Sequence, residues 1–433
     1  MYIPVKVKFA IAFACAILWT AASIYFARYW LNELSDHIGL VLASVVIMGI
    51  AIIPGFMNAF LFSSLLLDRR PARIKLNVYP SITIMTAAYN EESGIVETLK
   101  GIALQHYSGP LEVIVINDGS KDATAALLEA EKSNYPWLKV INIPLNGGKS
   151  RALNLGFTQS SHELIITLDA DSYLYKDALQ SIVERYMEDP QNTRAVAGTI
   201  LVRNSRESWI ARVQEWDYFH GIAAIKRVQS LFQGTLVAQG AFSLYNKKTL
   251  IEVGGWPDGV GEDIVLTWAI LNAGYRVGHS EDACVFTNVP ATLTQFSRQR
   301  QRWSRGMIEA FKKHPGILLK PRLSTVFIYW NLLFPLLDMI FTLSFIPGIV
   351  LALLGYYWIV GPMTLALLPI AMGMNYLMFS TEKAMFDKNG LRVRNNLQGF
   401  VIYSLAYNLI MQPVCFLGYF SELLNLKKNW GTK

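Results

Sequence analysis

The apolar positions of this chain fall into separate blocks. Phe9 to Ala27 carries no charge and is long enough to cross a bilayer core at about 1.5 Å of rise per residue. A second, longer run extends from Ile38 to Leu67 and contains Pro54. Lys6 and Lys8 ahead of the first run would suit a signal peptide, but no small-residue cleavage pattern follows, and the second run predicts a membrane hairpin instead. Residues 68–322 then mix charged and apolar positions. From Ser324 to Ser380 there is a single charge, Asp338, over a length that fits two spans turning near Gly355–Pro362. A charged loop, 381–396, and a fifth apolar run, Leu397–Phe420, follow. The pattern predicts two N-terminal spans (1–67), a polar domain (68–292), an interfacial stretch (293–322) and a C-terminal membrane region of about three spans (323–433).

Within the polar domain the period shortens. Ser81–Ala88, Glu112–Asn117, Lys139–Ile143, Leu164–Leu168 and Arg194–Leu201 are short β-rich runs separated by helical stretches. Such alternation predicts an α/β fold, a mostly parallel sheet with helices on both faces. Ligands then bind outside the carboxyl ends of the strands. Those ends carry Tyr89 and Glu91, Asp118, and the Asp169/Asp171 pair. No GxGxxG follows the first strand and no P-loop motif occurs, which argues against both of those nucleotide folds.

Composition agrees with the membrane reading. Charged residues make up 16% of the 433 and hydrophobic ones 52%, against about 25% charged in a soluble domain. These values exclude disordered and collagenous chains, and three cysteines are too few for a disulfide framework or a zinc site. The net charge of +7 fits an anionic membrane surface rather than nucleic acid. Lys6 and Lys8 before the first run, with Arg69, Arg70, Arg73 and Lys75 after the second, place the polar domain in the cytosol. Five crossings would put Lys427 and Lys428 outside, against that rule, unless the fifth run is partly re-entrant.

Three clusters could carry chemistry. Asp169-Ala170-Asp171 closes a buried strand, and two carboxylates at i and i+2 can hold a hard divalent cation that bridges a diphosphate; a helix cap is the plainer alternative. Gly261-Glu262-Asp263 precedes an amphipathic helix, Ile264–Asn272, so Asp263 is either an N-cap or a general base for an attacking hydroxyl. Gln299, Arg302 and Trp303 share one helical face by their i, i+3, i+4 spacing in the basic stretch 298–305. Their arginines would meet either lipid headgroups or a departing diphosphate, and the indole could stack on a sugar.

Taken in order, Tyr89-Asn90-Glu91, Asp118-Gly119-Ser120, Gly148-Lys149, Asp169-Ala170-Asp171, Glu262-Asp263 and Gln299-x-x-Arg302-Trp303, flanked by spans, resemble the processive family-2 glycosyltransferases. That group includes bacterial poly-N-acetylglucosamine, hyaluronan, chitin-type and cellulose synthases. The resemblance covers about 79–310. It implies a glycosyltransferase A-type domain in a multi-pass protein of the cell membrane, with the catalytic domain cytosolic. It further implies Ala87, Tyr89, Glu91 and Asp118 around the uridine, Lys149 near the phosphates, Asp169 on the nucleotide, Asp171 on Mg2+ or Mn2+, and Asp263 as general base. Gln239-Gly240 would lie near the acceptor, and Glu262, Gln299, Arg302 and Trp303 would close over acceptor and diphosphate. Two departures are Gly261 where many relatives have Thr, and Asn288 where some have an acid. His279 could complete a metal site or simply be packed.

The implied reaction is inverting transfer from a UDP-sugar to a growing glycan, and size and span layout fit poly-β-1,6-N-acetylglucosamine synthases best. Hyaluronan, chitin-type and glucan synthesis stay open, as does a non-processive lipid-linked transfer. Some relatives need a small membrane partner subunit. Polar residues in spans are costly and usually face a bundle interior or cavity. Ser404, Asn408 and Gln412 form one stripe, and Asn331, Asp338 and Thr342 another, so a glycan channel between them is expected alongside ordinary helix–helix hydrogen bonding.

Overall fold

The computed structural model describes residues 3–69 and 74–427; Arg70, Arg73 and Lys428 lie outside the described residues. Two long helices, Val5–Ile38 and Leu40–Leu67, form the N-terminal hairpin, joined at Gly39 with φ of +79°, a conformation that favours glycine. The second passes through a π-helical stretch, Met48–Ile52, just ahead of Pro54, whose missing N–H interrupts the helical ladder. Phe60 is buried at the foot of this hairpin and meets the rings of Phe9, Phe232, Phe327 and Trp330 at 5.4–6.0 Å. Apolar contacts of this kind lock the hairpin to the polar domain.

That domain contains β1 (Ile82–Ala88), β2 (Leu111–Asp118), β3 (Leu138–Ile143), β4 (Leu164–Leu168), β5 (Tyr173–Leu174), β6 (Thr193–Val202), β7 (Phe242–Asn246) and β8 (Arg276–Thr287). Among the described residues they form one sheet in the order β3-β2-β1-β4-β7-β6-β8-β5. β1 to β4 pair in parallel, as do β6 and β8. β7 runs antiparallel to both β4 and β6, and β5 antiparallel to β8. The α/β class is as expected, but the sheet is mixed. Val113, Ile114, Val115 and Ile116 are all fully buried, because helices cover both faces, and each such side chain contributes about 1.5–3 kcal/mol.

Among the described residues four helices are long and apolar enough to cross a membrane: Val5–Ile38, Leu40–Leu67, Thr325–Leu353 and Leu397–Leu423. The expected charged loop 381–396 is helical in its first half, since Pro362–Lys388 is one helix. Its end is held by Phe386 against Phe219, with ring centroids 5.3 Å apart, and by Lys388 3.5 Å from Asp282. Packing against the domain outweighs the local charge pattern there.

Candidate functional site

The carboxyl ends of β1, β2 and β3 are stitched together by side chain to backbone bonds. Asn90, at φ +55°, accepts from the Lys121 N–H at 2.8 Å. Ser120 Oγ accepts from the Asn90 N–H at 3.0 Å, and Thr124 Oγ1 from the Glu91 N–H at 2.8 Å. The buried Asp118 carboxylate accepts from the Gly147 N–H at 2.9 Å and the Gly148 N–H at 2.8 Å. Gly148, at φ +90°, then starts the Lys149–Gln159 helix, and Lys149 is aimed inward.

Lys149 Nζ lies 2.5 Å from Asp169 Oδ1 and 3.7 Å from Glu262 Oε1. Burial opposes the ammonium charge, but the carboxylates of Asp169, Glu262 and Asp263 outweigh it and hold Lys149 above its usual range. Burial also pushes Glu262 up, and Asp263 beside it adds to that, while Lys149 opposes it. Gly240 makes room for this cluster: a Cβ there would sit 2.7 Å from Lys149 Nζ.

Asp263 lies in the first turn of the Glu262–Asn272 helix, whose N-cap is Gly261, so the N-cap alternative does not hold. Its Oδ1 accepts from the Ile264 N–H at 2.8 Å and its Oδ2 from the Gly240 N–H at 3.3 Å. Gly261 crosses Gly306 of the Leu293–Lys313 helix so closely that a Cβ would fall 2.4 Å from the Gly306 Cα. A side chain at position 261 therefore has no room. The same crossing brings Arg302 to the site, with Nη1 3.5 Å from the Val260 carbonyl.

A cavity of about 580 Å³ joins these parts. Lys149, Asp169, Asp171, Gln239, Gly240, Glu262, Asp263, Gln299, Arg302 and Trp303 all line it, as does Asn288. Ala87, Tyr89, Glu91 and Asp118 do not; Tyr89 is exposed beside the stitched strand ends. His279 is buried beside Thr199 and lies outside the cavity, the packed alternative. None of Asn331, Asp338, Ser404, Asn408 and Gln412 lines it either. The last helix contributes Met411, Cys415 and Tyr419 instead, one residue off the predicted stripe in register.

The sequence gives no motif for several lining residues. Lys226 is buried on the cavity wall, and its ammonium is pushed down to about 7 by burial, against the pull of Asp263. Tyr218 and Gly221 belong to a π-helical stretch, Tyr218–Ala224, a distortion often found at functional sites.

Gln239 Oε1, Gln299 Oε1 and Glu262 Oε2 are buried without a hydrogen-bond partner among the described residues. A buried acceptor left unpaired costs about 1–3 kcal/mol, so a polar ligand suits this space. Among the described residues no group of three metal-ligating side chains occurs. Asp169 and Asp171 nevertheless line the cavity together, which fits a hard cation completed by phosphate oxygens and water.

Residues 83–254 match the family described as Glycosyl transferase family 2. The poly-beta-1,6-N-acetyl-D-glucosamine synthase of Staphylococcus aureus (strain COL) is 34% identical over 241 residues, 55% of this chain and 57% of that protein. The synthase of the same name from Staphylococcus epidermidis is 34% identical over 226 residues, 52% of this chain and 54% of that one. The chain thus matches a little over half the length of these relatives. A mannosyltransferase from Pyrobaculum calidifontis, solved with GDP-Man and Mn2+, shares the fold: TM-score 0.55 at 18% identity, covering 96% of this chain and 100% of the other.

Proposed function

We propose, from the match of residues 83–254 to glycosyl transferase family 2, that the chain is a membrane-embedded processive synthase that lengthens a β-linked polysaccharide from a UDP-sugar. The observation that carries this reading is the single cavity in which Asp169 and Asp171, Asp263, and Gln299, Arg302 and Trp303 meet. Similarity to the staphylococcal synthases favours UDP-N-acetylglucosamine as donor and poly-β-1,6-N-acetylglucosamine as product.

In this reading the uridine rests on the stitched strand ends, with Ala87, Tyr89, Glu91 and Asp118 around it. Asp171, with Asp169, would hold Mg2+ or Mn2+, an ion that neutralises charge on a departing diphosphate. Arg302, which lines the same cavity, would meet the same diphosphate. Asp263 removes the proton from the acceptor hydroxyl as its oxygen bonds to C1, and the C1–oxygen bond to UDP breaks with inversion. Trp303 holds the acceptor sugar by stacking. Lys6, Lys8, Arg69 and Lys75 favour a cytosolic domain in the cell membrane, with the spans giving the polymer its way out and a small partner subunit assisting as in some relatives.

The test is incubation of the purified full chain with a panel of UDP-sugars and Mg2+ or Mn2+, followed by linkage-specific glycosidase digestion. A β-1,6-N-acetylglucosamine polymer is expected. Single-sugar transfer to lipid would overturn the processive reading.

A further inference from the structure

We propose that Lys226 holds the acceptor sugar: its amine donates a hydrogen bond to a sugar oxygen and so presents the attacking hydroxyl to Asp263. The assignment rests on the reading of the cavity as the site of sugar transfer.

A distortion turns Lys226 toward that space. The π-helical stretch Tyr218–Ala224 runs directly into the Ile225–Leu231 helix. Tyr218, Ile222 and Lys226 stand at i, i+4 and i+8, and all three line the cavity. In an unbroken α-helix the residue at i+8 has turned about 80° away from i. The wider π turn keeps the three in one row.

An extended segment, 236–240, ties this helix to the one that carries the base. The Leu236 N–H donates at 3.1 Å to Gln229 Oε1, one turn along from Lys226. The Ala238 N–H donates at 2.9 Å to Thr267 Oγ1, one turn along from Asp263, and the Gly240 N–H donates to Asp263 itself at 3.3 Å. Val237 and Gln239 alternate with these residues and line the cavity.

Lys226 is 7% exposed, and what surface it keeps is on the cavity wall. Among the described residues its amine makes no hydrogen bond and no ion pair, and the carboxylate that acts on its charge is Asp263. Asp263 is thus too far for a pair and near enough to be felt. Lys149, by contrast, is held by Asp169 and Glu262 as well as Asp263. The two lysines share only the base. In a displacement with inversion the acceptor enters opposite the departing UDP, and the base stands on the acceptor's side. An amine near that base but remote from Asp169 and Glu262 therefore meets the acceptor rather than the diphosphate.

Packing gives no reason for a lysine here. Val228, in the same helix, is fully buried in the apolar core, and burial pushes the Lys226 amine down to about 7. A methionine of similar length would fill this place without the cost of an unpaired buried cation. What the lysine adds is a donor. On the same wall Gln239 Oε1 is a buried acceptor without a partner. Sugar hydroxyls supply both halves, accepting from Lys226 and donating to Gln239.

Acceptor kinetics decide it. The purified full chain is given UDP-N-acetylglucosamine, Mn2+ and a short β-1,6-linked N-acetylglucosamine oligomer, with UDP affinity measured by calorimetry and stability by thermal melting. Lys226→Met is expected to raise the KM for the oligomer about 10-fold or more, to leave UDP affinity unchanged and to melt no lower than the parent chain. An unchanged KM in a parent that elongates removes this assignment alone. A loss of UDP affinity that matches the rise in KM puts the amine on the diphosphate and overturns it, and a much lower melting temperature makes Lys226 a packing residue and does the same. If the parent chain transfers no sugar to the oligomer, the transfer reading fails and the assignment goes with it.

Discussion

The Arg300 guanidinium carbon lies 4.2 Å from the ring centroid of Trp303 and 5.0 Å from that of Phe296. Arg300 is one of the two unspecified positions in Gln299-x-x-Arg302-Trp303, yet it is buried and bonded to Asp217 at 2.7 Å. Its charge is therefore committed to the protein, and its plane fixes where the indole can sit.

Arg300→Met is expected to destabilise the chain by about 2–3 kcal/mol, because Asp217, only 13% exposed, is left uncompensated. In the double variant Arg300→Met/Asp217→Asn that penalty largely disappears, but the support under Trp303 is still missing. Thermal melting should recover while polymer elongation stays low and UDP affinity stays normal. Recovery of elongation with stability would reduce the pair to a structural bridge.

Asp263 receives one N–H from Gly240 and one from its own helix, an arrangement that orients a carboxylate without neutralising it. Asp263→Asn keeps shape and loses basicity. UDP binding should persist, and glycan synthesis should fall about 10²–10⁴-fold, the usual worth of a positioned base. Near wild-type turnover in this variant would mean that another group takes the proton.

Asp171 and Trp303 line one cavity but should fail differently. Asp171→Ala is expected to abolish metal-dependent UDP binding measured by calorimetry. Trp303→Ala should leave that binding nearly intact and slow elongation in a graded way, since ring stacking is worth about 0.5–1.5 kcal/mol beyond burial. Equal loss of UDP affinity in both would remove the division between donor and acceptor sides.

The parallel half of the sheet was legible because β1, β2 and β4 are continuous apolar runs ending in polar turns. β7 was not: Phe242–Asn246 is five residues long and follows the Gln239-Gly240 turn without a period of its own. Its antiparallel pairing with β4 and β6 is dictated by tertiary packing. Asp169, Asp171, Asp263, Arg302 and Trp303 could be named from order and spacing. Lys226 and Arg300 could not, since a cation in a helix reads as solvated until burial is known. The stripe Ser404, Asn408 and Gln412 followed from ideal helical spacing, which the π-helical stretch Tyr403–Tyr407 breaks.

Glu112 sits under the sheet edge, 7% exposed in its side chain, accepting from Thr83 Oγ1 at 2.7 Å and the Ser161 N–H at 2.9 Å and pairing with Lys139. Burial works against its ionisation, but these partners prevail and hold the carboxyl down at about 2, from 4.5. A folded-state value below the unfolded one adds stability above about 4.5, and that share is lost as pH falls toward 2. Glu112→Gln should therefore lower the melting temperature at pH 7 and flatten its decline between pH 4.5 and 2. An unchanged acid profile would rule out this carboxylate as a contributor.

Gly261 has φ of −125°, which any residue can adopt, so glycine is required there by space alone. The backbone of Gly306 occupies the place of its Cβ, and the reverse holds too, with a Gly306 Cβ 2.7 Å from the Gly261 Cα. Neither neighbour is a flexible side-chain tip, so Gly261→Ala must push the Glu262–Asn272 and Leu293–Lys313 helices apart. Overpacking of this kind costs about 1–3 kcal/mol. The same displacement separates Asp263 from Arg302 and Trp303, which ride on the two helices. A lower melting temperature and a larger fall in kcat than in UDP affinity are expected, and Gly306→Ala should reproduce both. If Gly261→Ala melts and polymerises like the parent chain, the two motifs are not held in register by this crossing.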